Sequence, residues 1–383
     1  MRRIKVLSVF GTRPDTIKLA PVVNELSKYP HLIDSVTCGT AQHREMMDQV
    51  LSVFGISPDY DLGVMRDDQT LFDIAERGLR GLREVLERER PDVTLVHGDT
   101  STAFVGALAS FYCKVKVGHV EAGLRTNQKY DPFPEEMNRR LVGCLSDLHF
   151  APTSEHLGNL LRENFPRSNI YVTGNTVVDA VLAVAATRTG FVDTQLASID
   201  FTGRRLVLVT AHRRENIGEP LQAICAAVRD VLRDFPDTMA VMPVHPNPRV
   251  QSMVFRELSG VERCYLIDPV SYPDMVGLMQ KCFMVMTDSG GLQEEAPALG
   301  KPVLVLRRTT ERPEGLRAGT LKLAGVSREG IRIQAGILLS NTEKYRQMAE
   351  SPNPYGDGQA SRRIVSGILH HFGMVDERPA DFA

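Results

Sequence analysis

The chain has 383 residues, 43% of them hydrophobic and 24% charged, with a formal net charge of −2 at pH 7. That length exceeds what one ordinary core serves and predicts about two or three domains. The near-neutral balance excludes a nucleic-acid partner held by bulk electrostatics, and no apolar run approaches the ~18 residues of a membrane span.

The segment Ile4 to Phe10 is apolar and ends in Gly11, which reads as a first strand rather than a secretion signal. Pro14 suits the first position of a following helix and Asp15 its first turn, and the helix is expected to run to about Lys28. Arg13 then sits at the strand's C-terminal end and Lys18 one turn inside the helix, where parallel α/β sheets bind ligands. A strand near Leu32 to Cys38 precedes a helix opened by Gln42-His43-Arg44-Glu45. Leu71, Ala75, Leu79, Leu82 and Leu86 recur at helical spacing up to Arg90-Pro91. Asp92 to His97 reads as a strand delivering Gly98-Asp99-Thr100-Ser101, with Thr100 or Ser101 capping the next helix. Lys114 to Val120 delivers Glu121, and Pro132 to Glu136 opens a helix containing Asn138, Arg139 and Arg140. Short strands near Leu148 to Ala151 and Ile170 to Thr173 complete a first half.

A second alternation follows the polar stretch from Thr187 to Arg205. Arg205 to Thr210 leads to His212-Arg213-Arg214, Met239 to Val244 leads to His245, and Cys264 to Ile267 leads to Asp268. Phe283 to Thr287 leads to Asp288-Ser289-Gly290-Gly291, and Val303 to Leu306 leads to Arg307, Arg308 and Arg312. The tail reads as helical from Ser327 to about Phe372, broken at Pro352 to Gly356, with Val375 to Ala383 frayed. The expected architecture is α/β, with two doubly wound Rossmann-like domains facing across a cleft. Residues 1–176 form the half bearing the carboxylates, completed by a C-terminal helix at 362–383, and residues 177–361 form the nucleotide-binding half.

The Ser289-Gly290-Gly291 turn lets backbone N–H groups approach a phosphate at a helix N-terminus, although a tight strand-to-helix turn also explains it. Glu294 or Glu295, one turn on, can reach ribose hydroxyls. Arg213, Arg307, Arg308 and Arg312 follow strands of the same half and make a diphosphate clamp. In the first half Asp99, Glu121 and Glu135 can together supply the acid and base of a proton transfer. The plainer readings are a helix N-terminal role for Asp99 and a surface i,i+4 pair between Glu135 and Arg139. The six cysteines lack a CxxC pair and read as reduced core thiols of a cytoplasmic protein. No metal site is expected, since neither HxxxH nor HExxH occurs, and the absence of GxSxG argues against a nucleophilic serine. Gly11 is not followed by GxGxxG spacing, which disfavours NAD, and no cofactor is expected.

Eleven stretches in order resemble the non-hydrolysing UDP-N-acetylglucosamine 2-epimerases of the glycosyltransferase-B-like group. They are GTRPDTIKLAP from Gly11, AQHREMMDQVL from Ala41, HGDTST from His97, GHVEAGLRT from Gly118, PFPEEMNRR from Pro132, TGNTVVDA from Thr173, TAHRREN from Thr210, PVHPNP from Pro243, TDSGGLQEEAPALGKPVLVLR from Thr287, TTERPEG from Thr309 and NPYGDGQAS from Asn353. The resemblance implies reversible conversion of UDP-GlcNAc to UDP-ManNAc by elimination and re-addition of UDP through 2-acetamidoglucal, feeding cell-surface polysaccharide. It implies Asp99, Glu121, Glu135 and His212 as catalytic residues. Arg13, Lys18, Ser289, Gly290, Gly291, Glu295 and Arg312 are implied as contacts to the UDP-sugar. Gln42, Gln69, Glu136 and Arg213 are candidates for a second, activating UDP-GlcNAc site, and a homodimer is implied. Asp15-Thr16 replaces the family's common Glu-Ala, and Arg308 stands where aspartate is common. Relatives acting on modified sugars share most of these motifs. A glycosyltransferase of the same architecture, a hydrolysing epimerase and a non-enzymatic sugar-nucleotide sensor are the competing readings.

Overall fold

A computed structural model describes residues 2–40, 44–64, 66, 69–187 and 190–383. The chain parts into two compact units, Met1–Ala180 with Gly356–Ala383, and Val181–Tyr355. The expected bounds were 176/177 and 361/362; the helix Thr176–Thr187 runs through the first of them.

In the first unit the strands are β1 (Ile4–Phe10), β2 (Ile33–Gly39), β3 (Tyr60–Asp61), β4 (Val93–His97), β5 (Lys116–Val120), β6 (Leu148–Ala151) and β7 (Ile170–Val172). They form one parallel sheet in the order β3-β2-β1-β4-β5-β6-β7. Helices cover both faces, so the strands are near-continuous apolar runs, and side chains alternate between two cores. Ile4, Val6 and Phe10 pack with Leu19, Leu26, Ile364 and Ile368, from the helices Arg13–Leu26 and Ala360–His371. Leu7 and Val9 face the other core with Leu82, Leu86 and Val105, from the helices Leu71–Glu89 and Ser101–Tyr112. Each such buried aliphatic side chain contributes about 1.5–3 kcal/mol. The packing leaves no room for growth at Gly118, where an added methyl would meet Leu95 Cδ2 at 2.7 Å.

The second unit contains β8 (Arg205–Thr210), β9 (Thr238–Pro243), β10 (Cys264–Ile267), β11 (Met284–Thr287), β12 (Val303–Val305) and β13 (Leu321–Leu323). They pair in parallel in the order β10-β9-β8-β11-β12-β13. Strand order reverses between β1 and β4 in one sheet and between β8 and β11 in the other. These are the switch points where adjacent loops diverge and leave a crevice. Arg13 and Asp99 follow the strands at the first; His212 and Ser289 follow those at the second.

Two edge strands lie outside the sequence reading, and one expectation fails. The edge strands β3 and β13 have two and three residues, too few to show a period in the sequence. The tail expected to fray is instead packed. Phe382 N–H donates to Val172 O at 2.8 Å, Val172 N–H donates to Asp381 at 3.1 Å, and Arg378 lies over the Tyr171 ring at 4.1 Å. An open sheet edge offers unpaired backbone groups, and the tail occupies those of β7. No helix among the described residues is long and apolar enough to cross a membrane.

Candidate active site

Each switch point assembles its own cluster. In the first unit, Thr12 caps the helix after β1, with Pro14 in its first turn. Asp15 is buried and accepts hydrogen bonds from Thr12 N at 2.7 Å, Gly11 N at 3.3 Å and Thr100 Oγ1 at 3.2 Å. It therefore ties the loop carrying Arg13 to the loop carrying Asp99. Burial pushes its pKa up to about 6, against the donors from Thr12, Gly11 and Thr100.

Glu121 stands at the end of β5 with φ +63°, a left-handed conformation that a side chain rarely adopts. Such strain persists where surrounding contacts over-determine it, and it concentrates at functional sites. Here the contacts are Lys18 Nζ, which pairs with the carboxylate, and Asn175 Nδ2, which donates to Oε2 at 2.8 Å. Oε1 lies 3.5 Å from the position a Cβ at Gly98 would take, an ordinary contact, so the carboxylate lies against Gly98, whose own φ is +62°.

Asp99 adjoins Gly98 and is bonded by Arg139, with Nε at 3.1 Å from Oδ2, while Asn138 donates to its backbone oxygen at 2.9 Å. Arg139 also donates to Glu136 at 3.0 Å. Glu135 begins the helix that carries these residues, Glu135–Leu145. The expected Glu135–Arg139 pair is thus replaced: the buried guanidinium turns to Asp99 and Glu136. Glu135 Oε2 is buried with no hydrogen-bond partner among the described residues. Helix and strand ends thereby join the three predicted carboxylates in one neighbourhood of the first unit. Glu136 is buried and accepts from Thr126 N, Asn127 N, Arg139 and Arg140, which holds the preceding loop to the helix.

The second unit gathers cations. Asp288, fully buried, accepts from His212 N at 2.9 Å, Arg213 N at 2.8 Å and Asn216 Nδ2 at 2.9 Å, joining the loops after β8 and β11. His212 Nδ1 is 3.5 Å from Asp288 Oδ1, and its ring stacks on His245 with centroids 5.3 Å apart. Burial lowers the His212 pKa, with Asp288 opposing and His245 and Arg213 adding to the effect.

Ser289 is the N-cap of the helix Gly290–Ala298, and its hydroxyl makes no capping hydrogen bond. Unsatisfied N–H groups at a helix start attract anions. A methyl on Gly290 would stand 3.5 Å from Arg213 and 3.8 Å from Arg312, so both guanidinium groups border this turn. Glu295 Oε2 points back toward Gly291, and Oε1 accepts from Tyr272 OH at 2.9 Å. Glu294 instead pairs with Arg312. Tyr355 OH donates to Arg312 O at 3.2 Å and accepts from Gly315 N at 2.9 Å, fixing the start of the helix Pro313–Ala318.

Arg213, expected at a second ligand site, thus lies with Arg312 beside the glycine turn, whereas Arg307 is paired with Glu215 at 3.0 Å and Arg308 is exposed. Gln69 accepts from Arg66 N at 3.2 Å, and Gln42 lies outside the described residues. Among the described residues no three His, Cys, Asp or Glu side chains are grouped to hold a metal. Sequence reasoning missed His97, Asn175, Asp288, Tyr272 and Tyr355 as site-forming residues. The signal of His97, Asp288 and Asn175 was a polar side chain closing or following an apolar strand or following a glycine, whereas Tyr272 and Tyr355, each beside a proline, carried no such signal.

Two parallel α/β sheets, each with its polar residues at a switch point, define the glycosyltransferase-B-like class. The glycotransferase of kitacinnamycin shares this fold with a TM-score of 0.63 at 12% identity, over 96% of this chain and 100% of its own. Within that class the chain belongs to the UDP-N-acetylglucosamine 2-epimerase family, whose family model matches residues 24–369. The UDP-N-acetylglucosamine 2-epimerase of Bacillus subtilis is 50% identical over 382 residues, which is 100% of this chain and 99% of that protein. The structure of UDP-GlcNAc 2-epimerase from Neisseria meningitidis bound to UDP-GlcNAc is 47% identical with a TM-score of 0.88, covering 96% of this chain and 100% of its own.

Proposed function

We propose that the chain interconverts UDP-N-acetylglucosamine and UDP-N-acetylmannosamine by eliminating UDP and adding it back to 2-acetamidoglucal. The C2 hydrogen of an intact sugar is not beside a carbonyl, so a carboxylate cannot readily remove it. As the C1–O bond to UDP stretches, positive charge grows at C1 and the C2 proton becomes acidic. The enzyme therefore has to stabilise a departing diphosphate while a placed base takes the proton.

The reading is carried by Glu121, a carboxylate held in a strained backbone by Lys18 and Asn175. Asp99 and Glu135 complete the proton-handling set. The helix start at Ser289-Gly290-Gly291, with Arg213 and Arg312, holds the diphosphate, Glu295 the ribose, and His212 the neighbourhood of the leaving group. Arg13 serves the nucleotide sugar from the first switch point. A homodimer is part of the proposal. Phe72, Phe111, Tyr112 and Leu141 are exposed on the helices Leu71–Glu89, Ser101–Tyr112 and Glu135–Leu145, which pack in succession and suit a second copy. The expected site of action is the cytoplasm.

Incubation with UDP-N-acetylglucosamine in D2O, followed by NMR, tests the proposal. Deuterium should enter at C2 of both epimers without any acceptor. UDP release only on adding an acceptor would instead identify a glycosyltransferase, the reading favoured by the shared fold alone.

A further inference from the structure

His97 closes β4 and is 4% exposed. Its Nε2 has no hydrogen-bond partner among the described residues, yet it lies 3.7 Å from Glu121 Oε2. Leaving a buried ring nitrogen unpaired is costly, and folded proteins rarely keep one without use. The same carboxylate oxygen is bonded by Lys18 Nζ and Asn175 Nδ2. An ammonium and an amide NH2 can only donate, so both serve the ionised carboxylate and neither can accept from a carboxylic acid.

Burial keeps His97 neutral at ordinary pH, its pKa pushed down to about 4, with Glu121 opposing and Lys18 adding. The ring also hydrogen-bonds the His97 backbone; as Nε2 has no partner among the described residues, that bond is donated by Nδ1–H, which leaves the lone pair of the neutral imidazole on Nε2. The 3.7 Å separation is too long for a hydrogen bond, and it suits two acceptors facing each other with no proton between them. Of the other titratable groups nearby, Asp99 is held by Arg139, and His119 is itself buried and neutral, with Nε2 bonded to Gly98 O at 2.8 Å.

We propose that His97 is a positioning residue whose bare Nε2 accepts a hydrogen bond from Glu121 whenever that carboxyl carries the proton exchanged with substrate C2. Glu121 then has separate partners for its two states: Lys18 and Asn175 when ionised, His97 when protonated. The proton remains on Glu121. The C2–H electron pair becomes the C1=C2 bond as the C1–O bond to UDP breaks, and the imidazole gains no charge. This inference rests on Glu121 handling the C2 proton.

The test is the pH profile of kcat for C2 deuterium exchange in H97F, H97N and H97Q. In H97F the acceptor is gone, so kcat should fall roughly 10- to 100-fold with KM within about threefold. The limb belonging to Glu121 should move to lower pH, because only the protonated form has lost a partner. H97Q, whose amide oxygen can reach and accept, should recover most of the rate and the limb. H97N is too short to do so, and it replaces H97F should that variant not fold. Equal losses in H97Q and H97N, or an unmoved limb in H97F, overturn the proposal. An E121Q variant within tenfold of wild type overturns the role of Glu121 instead, and with it the partner that His97 would serve.

Discussion

The two switch points are built on the same plan and carry opposite chemistry. After β1 and β4, the first unit brings together carboxylates and neutral histidines, and a buried acid, Asp15, ties the loops. After β8 and β11, the second unit ties its loops with another buried acid, Asp288, but surrounds an uncapped helix start with Arg213 and Arg312. Asp288 bridges the gap between diverging loops by accepting backbone N–H groups of the other loop, whereas Asp15 holds its own loop through backbone N–H groups and reaches the other through the Thr100 hydroxyl. What differs is the residue placed next to each bridge. A parallel sheet with a switch point is therefore a mount, and the chemistry lies in a few side chains at the strand ends.

The contrast breaks first at Glu121 and Asp99. E121Q and D99N are expected to lose about 10²- to 10⁴-fold in kcat, while UDP affinity by calorimetry stays within a few-fold. A variant that loses UDP binding instead would place the anion grip in the first unit.

R213A and R312A should show the converse, weakening UDP by about 10- to 100-fold, the range of a charge-assisted hydrogen bond. Tight UDP binding in both variants would remove the glycine turn from the diphosphate site.

The third expectation concerns pH and separates Asp15 from the histidines of the same unit. Asp15 has a folded pKa near 6, above its unfolded value, so the folded state binds more protons between about pH 4 and 6. Its contribution makes stability fall across that window and level off above it. His97, His119 and His149, pushed down by burial to about 4, 3 and 4, work the other way, losing stability as pH drops below about 6.5. Wild type should therefore destabilise on acidification. D15N, which lacks the opposing acid, should gain on wild type by on the order of 1–3 kcal/mol as pH rises from about 4 to 6, and so fall more steeply than wild type on acidification. A difference in melting temperature that is constant with pH would remove Asp15 as the cause.

The smallest effect is expected at Tyr355. Y355F removes the hydroxyl shared by Arg312 O and Gly315 N, and should weaken UDP severalfold, about 0.5–1.5 kcal/mol, with the kcat of saturated enzyme unchanged. A loss of kcat without loss of UDP affinity would contradict a role confined to the anion grip.

Much of this was legible in the chain itself. Strands β1, β4, β5, β8 and β11 announce themselves as apolar runs ending in glycine or a polar cluster. Pro14, Asp15 and Thr100 mark helix starts by local turn chemistry. The candidate residues Asp99, Glu121, Ser289 and Arg312 could be picked out because strand ends are where a parallel sheet exposes polar groups. The tail after Val375 misled because its polar composition reads as frayed, whereas the open edge of β7 gives its backbone and Asp381 something to bond.

Sequence alone determined the alternation of the longer strands and helices, the glycine turn and the carboxylates at the strand ends, since each depends on residues within a few positions. Tertiary structure decided the partners. Arg139 pairs with Asp99, 40 residues away, rather than with Glu135 one turn off. Lys18 meets Glu121 across 103 residues, and Arg213 joins Arg312 beside Gly290. Those choices follow from strand order, because only a sheet that pairs β1 with β4 and β8 with β11 brings such loops to one place.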